Sequence, residues 1–77
     1  LSHPNRLKLL CKLAESEYSV NDLSDLCNVS QSAMSQFLSR MKNEGIVTAR
    51  REHNFLFYSI ADRRLVRLLL ALKEIYT

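Results

Sequence analysis

One glycine and one proline in 77 residues leave this chain almost without the residues that interrupt regular structure. Such scarcity, beside 47% hydrophobic residues, excludes collagen-like and low-complexity classes and argues against disorder. Cysteine is nearly absent too. Cys11 and Cys27 match no metal-ligand spacing and no small secreted disulfide framework, so reduced thiols in the cytoplasm are the expectation. The longest apolar run, residues 68–72, falls far below the roughly 20 residues that cross a bilayer, and no signal peptide is evident. With one glycine there is no phosphate-cradling loop, and no nucleophile–base pair or set of paired acids marks an active site. No enzyme and no cofactor are expected. The length fits one small domain, residues 1–77, whose core is marginal enough that oligomerisation is a common remedy. The chain begins at Leu1 rather than Met, which reads as part of a longer protein.

The formal charge is +3, and it is unevenly spread. Residues 1–28 carry three Lys/Arg against four Asp/Glu, whereas residues 29–60 and 61–77 each carry four against two. The positive excess begins at the segment from Asn28 to Gly45 and fits contact with a polyanion.

That segment reads as one capped helix with two opposed faces. Ser30 is a natural N-cap and Gly45 a natural stop. Met34, Phe37, Leu38 and Met41 recur at i, i+3, i+4, i+7 and form an apolar stripe. The other face carries Ser32, Ser35, Gln36, Ser39, Arg40 and Asn43, without a carboxylate. Its donors and acceptors suit base edges and phosphates, and a helix fits a major groove about 12 Å wide. An ordinary solvated helix face would show the same polarity, so the flanking segments carry the argument.

Ahead of it, Ser2-His3-Pro4 opens a helix from about Pro4 to Glu15, with Leu7, Leu10, Leu13 and Ala14 at helical spacing. Residues 15–19 form a polar break. Ser19 and Asp22 resemble a capping box for a short helix, Val20 to Cys27, with Leu23, Leu26 and Cys27 inward. Asn28-Val29 is a tight turn, and two helices so joined are a helix-turn-helix signature. After Gly45 the period changes. Ile46-Val47-Thr48 and Phe55 to Ile60 predict a β-hairpin with a polar tip near Glu52-His53-Asn54. No Asn-Gly or Asp-Gly marks a two-residue turn, so a longer loop is expected. Asp62 caps a last helix reaching about Tyr76. Leu65, Leu68, Leu69, Leu72, Ile75 and Tyr76 form its main stripe, with Val66 and Leu70 beside it. This surface is wider than one small domain needs and predicts a second copy of the chain, with Val66, Leu69, Leu70 and Ile75 at the interface.

The fold class expected is mainly α with a small β-hairpin, in the order α-α-α-β-β-α, dimerising through terminal helices. Leu1-Ser-His-Pro-Asn-Arg-Leu7, Ser30 to Leu38, Asn43-Glu-Gly-Ile-Val47 and Phe57-Tyr58-Ser59-Ile60 together resemble the ArsR/SmtB family of winged helix-turn-helix regulators. The resemblance covers nearly the whole chain. It implies a homodimeric bacterial transcriptional regulator, a repressor released by an inducer, bound to a palindromic double-stranded operator. The family's reading positions fall on Gln31, Ser32, Ser35, Gln36 and Arg40, and its basic wing positions on Arg50 and Arg51. Ser39, Lys42 and, at the wing tip, His53 complete the expected DNA-binding set. Phe37 stands where many members have His, and the family's further N-terminal dimerisation helix has no counterpart here.

The family's metal-sensing positions fall on Ser19, Asn21 and Ser24, none of them a thiol, and the last helix holds no histidine. No metal is expected. The chain is more similar to the thiol-sensing HlyU/BigR-like branch. Cys11 matches one of that branch's two cysteines and is the candidate redox residue, while Thr77 occupies the place of the other. Against redox sensing stands the commonest fate of a free cysteine, burial as a small core residue. A winged-helix module that binds protein instead of DNA is the alternative function, and it calls for apolar residues on the exposed face of the Ser30–Asn43 helix.

Overall fold

Hydroxyl caps and left-handed residues set the boundaries of the central helices. The protein's structure, a computed structural model, describes residues 3–76, with α1 (His3–Glu15), β1 (Tyr18–Ser19), α2 (Val20–Cys27), α3 (Gln31–Asn43), β2 (Val47–Glu52), β3 (Phe55–Ile60) and α4 (Arg63–Tyr76). The expected cap Ser2 and the position of Thr77 lie outside the described residues. Ser19 Oγ accepts the Asp22 amide N–H at 3.2 Å, and Ser30 Oγ accepts that of Ala33 at 3.1 Å. Each hydroxyl thereby satisfies one of the free donors that open a helix.

Between these two helices the chain turns at Asn28, which takes φ 54°. The Val29 amide returns to the Ser24 carbonyl at 3.1 Å, closing α2 over a left-handed residue. Asn is one of the few residues that tolerate this conformation. α3 closes the same way: Gly45 has φ 79°, its amide reaches the Lys42 carbonyl at 3.0 Å, and Ile46 reaches Met41 at 3.0 Å.

The wing departs from expectation in two respects. The sheet has three strands, ordered β1-β3-β2, all antiparallel. β1 falls within the stretch read as a polar break. Two residues cannot display a period of two, and β1 exists because Tyr18 and Ser19 pair with Tyr58 and Phe57. The hairpin loop is also shorter than expected. Glu52 pairs with Phe55, so only His53 and Asn54 make the turn, with His53 at φ 56°. His supplies the left-handed conformation without an Asn-Gly pair. Order and hairpin together make a winged helix-turn-helix.

Leu9 and Leu13 of α1, Leu23 and Cys27 of α2, Met34, Leu38 and Met41 of α3, Val47, Tyr58 and Ile60 of the sheet and Leu69 of α4 form one buried cluster. Each large aliphatic side chain contributes roughly 1.5–3 kcal/mol on leaving water. Four residues lie elsewhere than expected. Leu26 is 38% exposed, and the small Ser24 is buried in α2, its hydroxyl bonded to the Asn21 carbonyl at 2.9 Å. Leu68, expected on the core stripe, is 56% exposed. Leu69, expected at a partner interface, is 3% exposed within its own chain. α4 packs against α1 along Leu65, Leu69 and Leu72, one turn apart, and that rotation leaves Leu68 and Ile75 outward. Glu15 ties the same two helices, meeting Lys12 at 3.8 Å and Lys73 of α4.

Candidate nucleic-acid interface

The buried stripe of α3 determines what its opposite face shows. With Met34, Leu38 and Met41 under 2% exposed, Gln31, Ser32, Ser35, Gln36, Ser39, Arg40 and Lys42 are all turned to solvent. Ser32, Ser35, Gln36, Ser39, Arg40 and Asn43 line one shallow concavity. No carboxylate lies on α3, so its hydroxyls, amides and cations face outward without a like charge to repel a phosphate. Ala33 is the one apolar side chain of this helix that is exposed, beside half-buried Phe37. Phe37 is half-buried at the edge of the face, and the Arg6 guanidinium of α1 lies 5.8 Å from its ring centroid. Arg6 thus brings a cation to the rim of the reading face. Sequence reasoning did not assign it a role, because a contact across 31 residues leaves no local signal.

The two wing arginines do not form one basic patch. Successive strand residues point to opposite faces. Arg51 lies opposite Leu56 on the side that carries Val47, Ala49, Tyr58 and Ile60. At that end of the sheet it is exposed, beside Ser19, Val20 and Asn21 at the start of α2. Arg50 lies opposite Phe57 on the other side. Its Nε donates to both carboxylate oxygens of Glu17, at 2.9 and 3.1 Å, and its Nη2 also donates to Glu17. Its Nη1 donates to Glu52 at 3.0 Å, and its guanidinium sits 5.1 Å from the Phe57 centroid. These hydrogen bonds, Glu17 first, raise the Arg50 pKa above its ordinary value, and the Arg50 guanidinium holds the Glu17 carboxyl below its own. Arg50, expected on a phosphate, is instead occupied by two carboxylates and a ring. His53 is exposed at the wing tip, as its place in the turn requires.

The thiols differ. Cys27 is buried in the core, and that burial pushes its pKa above the ordinary value, with nearby Lys8 opposing. A protonated buried thiol is a poor nucleophile. Cys11 is half-buried, its Sγ 3.7 Å from the Leu69 carbonyl oxygen it donates to. It lines a groove of about 470 Å³ between α1 and α4, with Pro4, Leu7, Lys8, Lys12 and Leu72. Both cysteines are free. Of the four expected interface residues, Leu70 and Ile75 are 40% and 72% exposed, Val66 is half-buried against the core, and Leu69 belongs to the core itself. Among the described residues no helix is long and apolar enough to cross a membrane.

Comparison with known proteins places this geometry. The sequence profile described as "Bacterial regulatory protein, arsR family" matches residues 3–49. The biofilm growth-associated repressor of Agrobacterium fabrum is 41% identical over 76 residues, covering 99% of this chain, which spans 65% of that repressor's length. The structure of reduced HlyU from Vibrio cholerae superposes with a TM-score of 0.84 at 35% identity, covering 94% of this chain and 76% of that one. A homodimeric winged helix-turn-helix DNA-binding domain from Mycobacterium bovis, solved by NMR, gives 0.79 at 29% identity, covering 94% and 67%.

Proposed function

The chain belongs to the arsR family of bacterial regulatory proteins, a family of regulators and not of enzymes, and from that premise we propose that it is a sequence-specific DNA-binding domain that represses transcription as a homodimer. The observation that carries this reading is the exposed, carboxylate-free Ser/Gln/Arg face of α3, opposite a fully buried stripe. In the mechanism, α3 enters the major groove. Gln31, Ser32, Ser35, Gln36, Ser39 and Arg40 meet base edges there, and Lys42, Arg51 and the helix N-terminus hold phosphates and set register. The wing tip with His53 lies along the backbone or minor groove. Two copies joined through α4, by Leu70 and Ile75 with Leu68 added, present two α3 helices to the halves of a palindrome.

The chain spans 65% of the length of the Agrobacterium relative, and the regulatory behaviour of a whole protein is part of the same proposal. Residues 1–77 act as one DNA-binding domain. Oxidation of the half-buried Cys11 by a peroxide, which takes the thiol to a sulfenic acid and releases water, would put a polar group in the α1–α4 groove and disturb its contact with the Leu69 carbonyl of α4.

Fluorescence anisotropy on a panel of palindromic duplexes across a salt series tests the proposal. Tight, sequence-dependent, salt-sensitive binding is expected. Gln36→Ala should cost roughly 1–3 kcal/mol on the preferred duplex and relax the preference, while Arg51→Ala should weaken all duplexes and lower the salt slope by about one. Binding that ignores sequence and salt overturns it. Repeating the titration after oxidation, with Cys11→Ser beside the wild type, tests the thiol: loss of binding is expected in the wild type alone.

A further inference from the structure

Arg50 is the best-placed cation of the wing by sequence and the least available by structure. Nε and Nη2 donate to Glu17 in forked geometry, Nη1 donates to Glu52, and Phe57 lies against the guanidinium. Single exposed ion pairs hold weakly, but a forked pair inside a network resists exchange better. The cluster joins three separate pieces of chain: the loop before β1, strand β2 and strand β3. One guanidinium against two carboxylates leaves this patch at −1. By contrast, among the described residues Arg51 meets no carboxylate, and α3 has none.

We infer that Glu17 and Glu52 set the wing's affinity for phosphate: they hold Arg50 off the DNA and keep one side of the wing repulsive to phosphate. The inference rests on the DNA-binding reading above. Non-specific affinity comes from cations that displace counterions at phosphates, whereas sequence is read by base contacts. A cation withdrawn from phosphate lowers the affinity and the salt slope for every duplex alike and leaves base readout untouched. The net negative patch also disfavours docking on that side of the wing, which leaves α3 and Arg51 to face the duplex.

The test compares the wild type with Arg50→Gln, Arg51→Gln and the double variant Glu17→Gln/Glu52→Gln, each confirmed folded by circular dichroism. Anisotropy is read on a preferred palindrome and on a scrambled duplex from 0.05 to 0.4 M salt, on the order used to resolve counterion release. Arg50→Gln is expected to keep the wild-type slope on both duplexes, while Arg51→Gln loses about one unit. The double variant, with Arg50 released, is expected to gain about 0.9 in slope and to bind both duplexes about eightfold more tightly near 0.1 M salt, with the preference between them unchanged. A fall of about one unit in the Arg50→Gln slope puts wild-type Arg50 on a phosphate and overturns the inference. A folded double variant with wild-type slope and affinity overturns it as well. If the double variant does not fold, the Arg50→Gln slope decides alone. Salt-insensitive binding by the wild type, by contrast, removes the DNA-binding reading and this inference with it.

Discussion

Leu38 and Leu68 occupy apolar stripes of equal regularity in the sequence, yet one is wholly buried and the other 56% exposed. Their substitutions should therefore separate. Leu38→Ala removes packed methyl groups from the core and should cost about 2–5 kcal/mol, read as a lowered midpoint in urea. Leu68→Ala should shift the monomer's stability by less than about 0.5 kcal/mol. The cysteines separate in the same way. A soluble maleimide should label half-buried Cys11 first, whereas Cys27, buried and held protonated, should react only when the domain opens; mass spectrometry over a time course distinguishes them. Equal labelling rates would remove the distinction between the two thiols.

Caps and turns were the most legible features of the helices, because they depend on neighbours in the chain. Ser19 and Ser30 cap as their sequence contexts predict, and Gly45 ends α3. Ser30→Ala should destabilise the domain by about 1 kcal/mol through the lost Ala33 contact. Gly45→Ala meets no atom within 4 Å, so its cost is conformational, about 1–2 kcal/mol for a side chain held at φ 79°. The wing and the α4 cap also respond to acid. Asp62 accepts the Arg64 side chain and its backbone N–H at 2.8 Å, which hold its carboxyl below the ordinary value, and Arg50 does the same for Glu17. A carboxylate with a depressed folded pKa stabilises the fold above its unfolded value and loses that contribution as pH falls through the folded one. Thermal midpoints should therefore decline below about pH 4, and Asp62→Asn with Glu17→Gln should flatten the decline. A wild-type decline unchanged in the double variant would assign acid sensitivity to other carboxylates.

Among the described residues eleven hydrophobic side chains are buried, a small core, and α4 carries Leu68, Leu70 and Ile75 on its outer side. Pairing two copies along that side buries apolar surface that one domain leaves wet. Ile75→Asp should shift sedimentation toward the monomer and weaken palindrome binding while leaving the circular dichroism spectrum intact. Leu69→Asp should instead unfold the chain, since Leu69 sits in the core beneath α4. A folded, monomeric Leu69→Asp protein would return Leu69 to the interface.

Much of the domain follows from local chemistry. Apolar spacing, hydroxyl caps and the scarcity of glycine lead to four helices and a hairpin, and the polar face of α3 is written in its composition. Those features depend on residues a few positions apart, whose contacts hold in any chain that forms the helix. Long-range packing decided the rest. β1 exists only through β3, and Leu68 and Leu69 exchanged their expected places because α1 set the rotation of α4. Arg50, expected on a phosphate, is paired with Glu17, 33 positions away. Side-chain spacing fixes which residues share a face, but which face is buried, and which charge finds a partner, depends on elements that meet only when the chain folds.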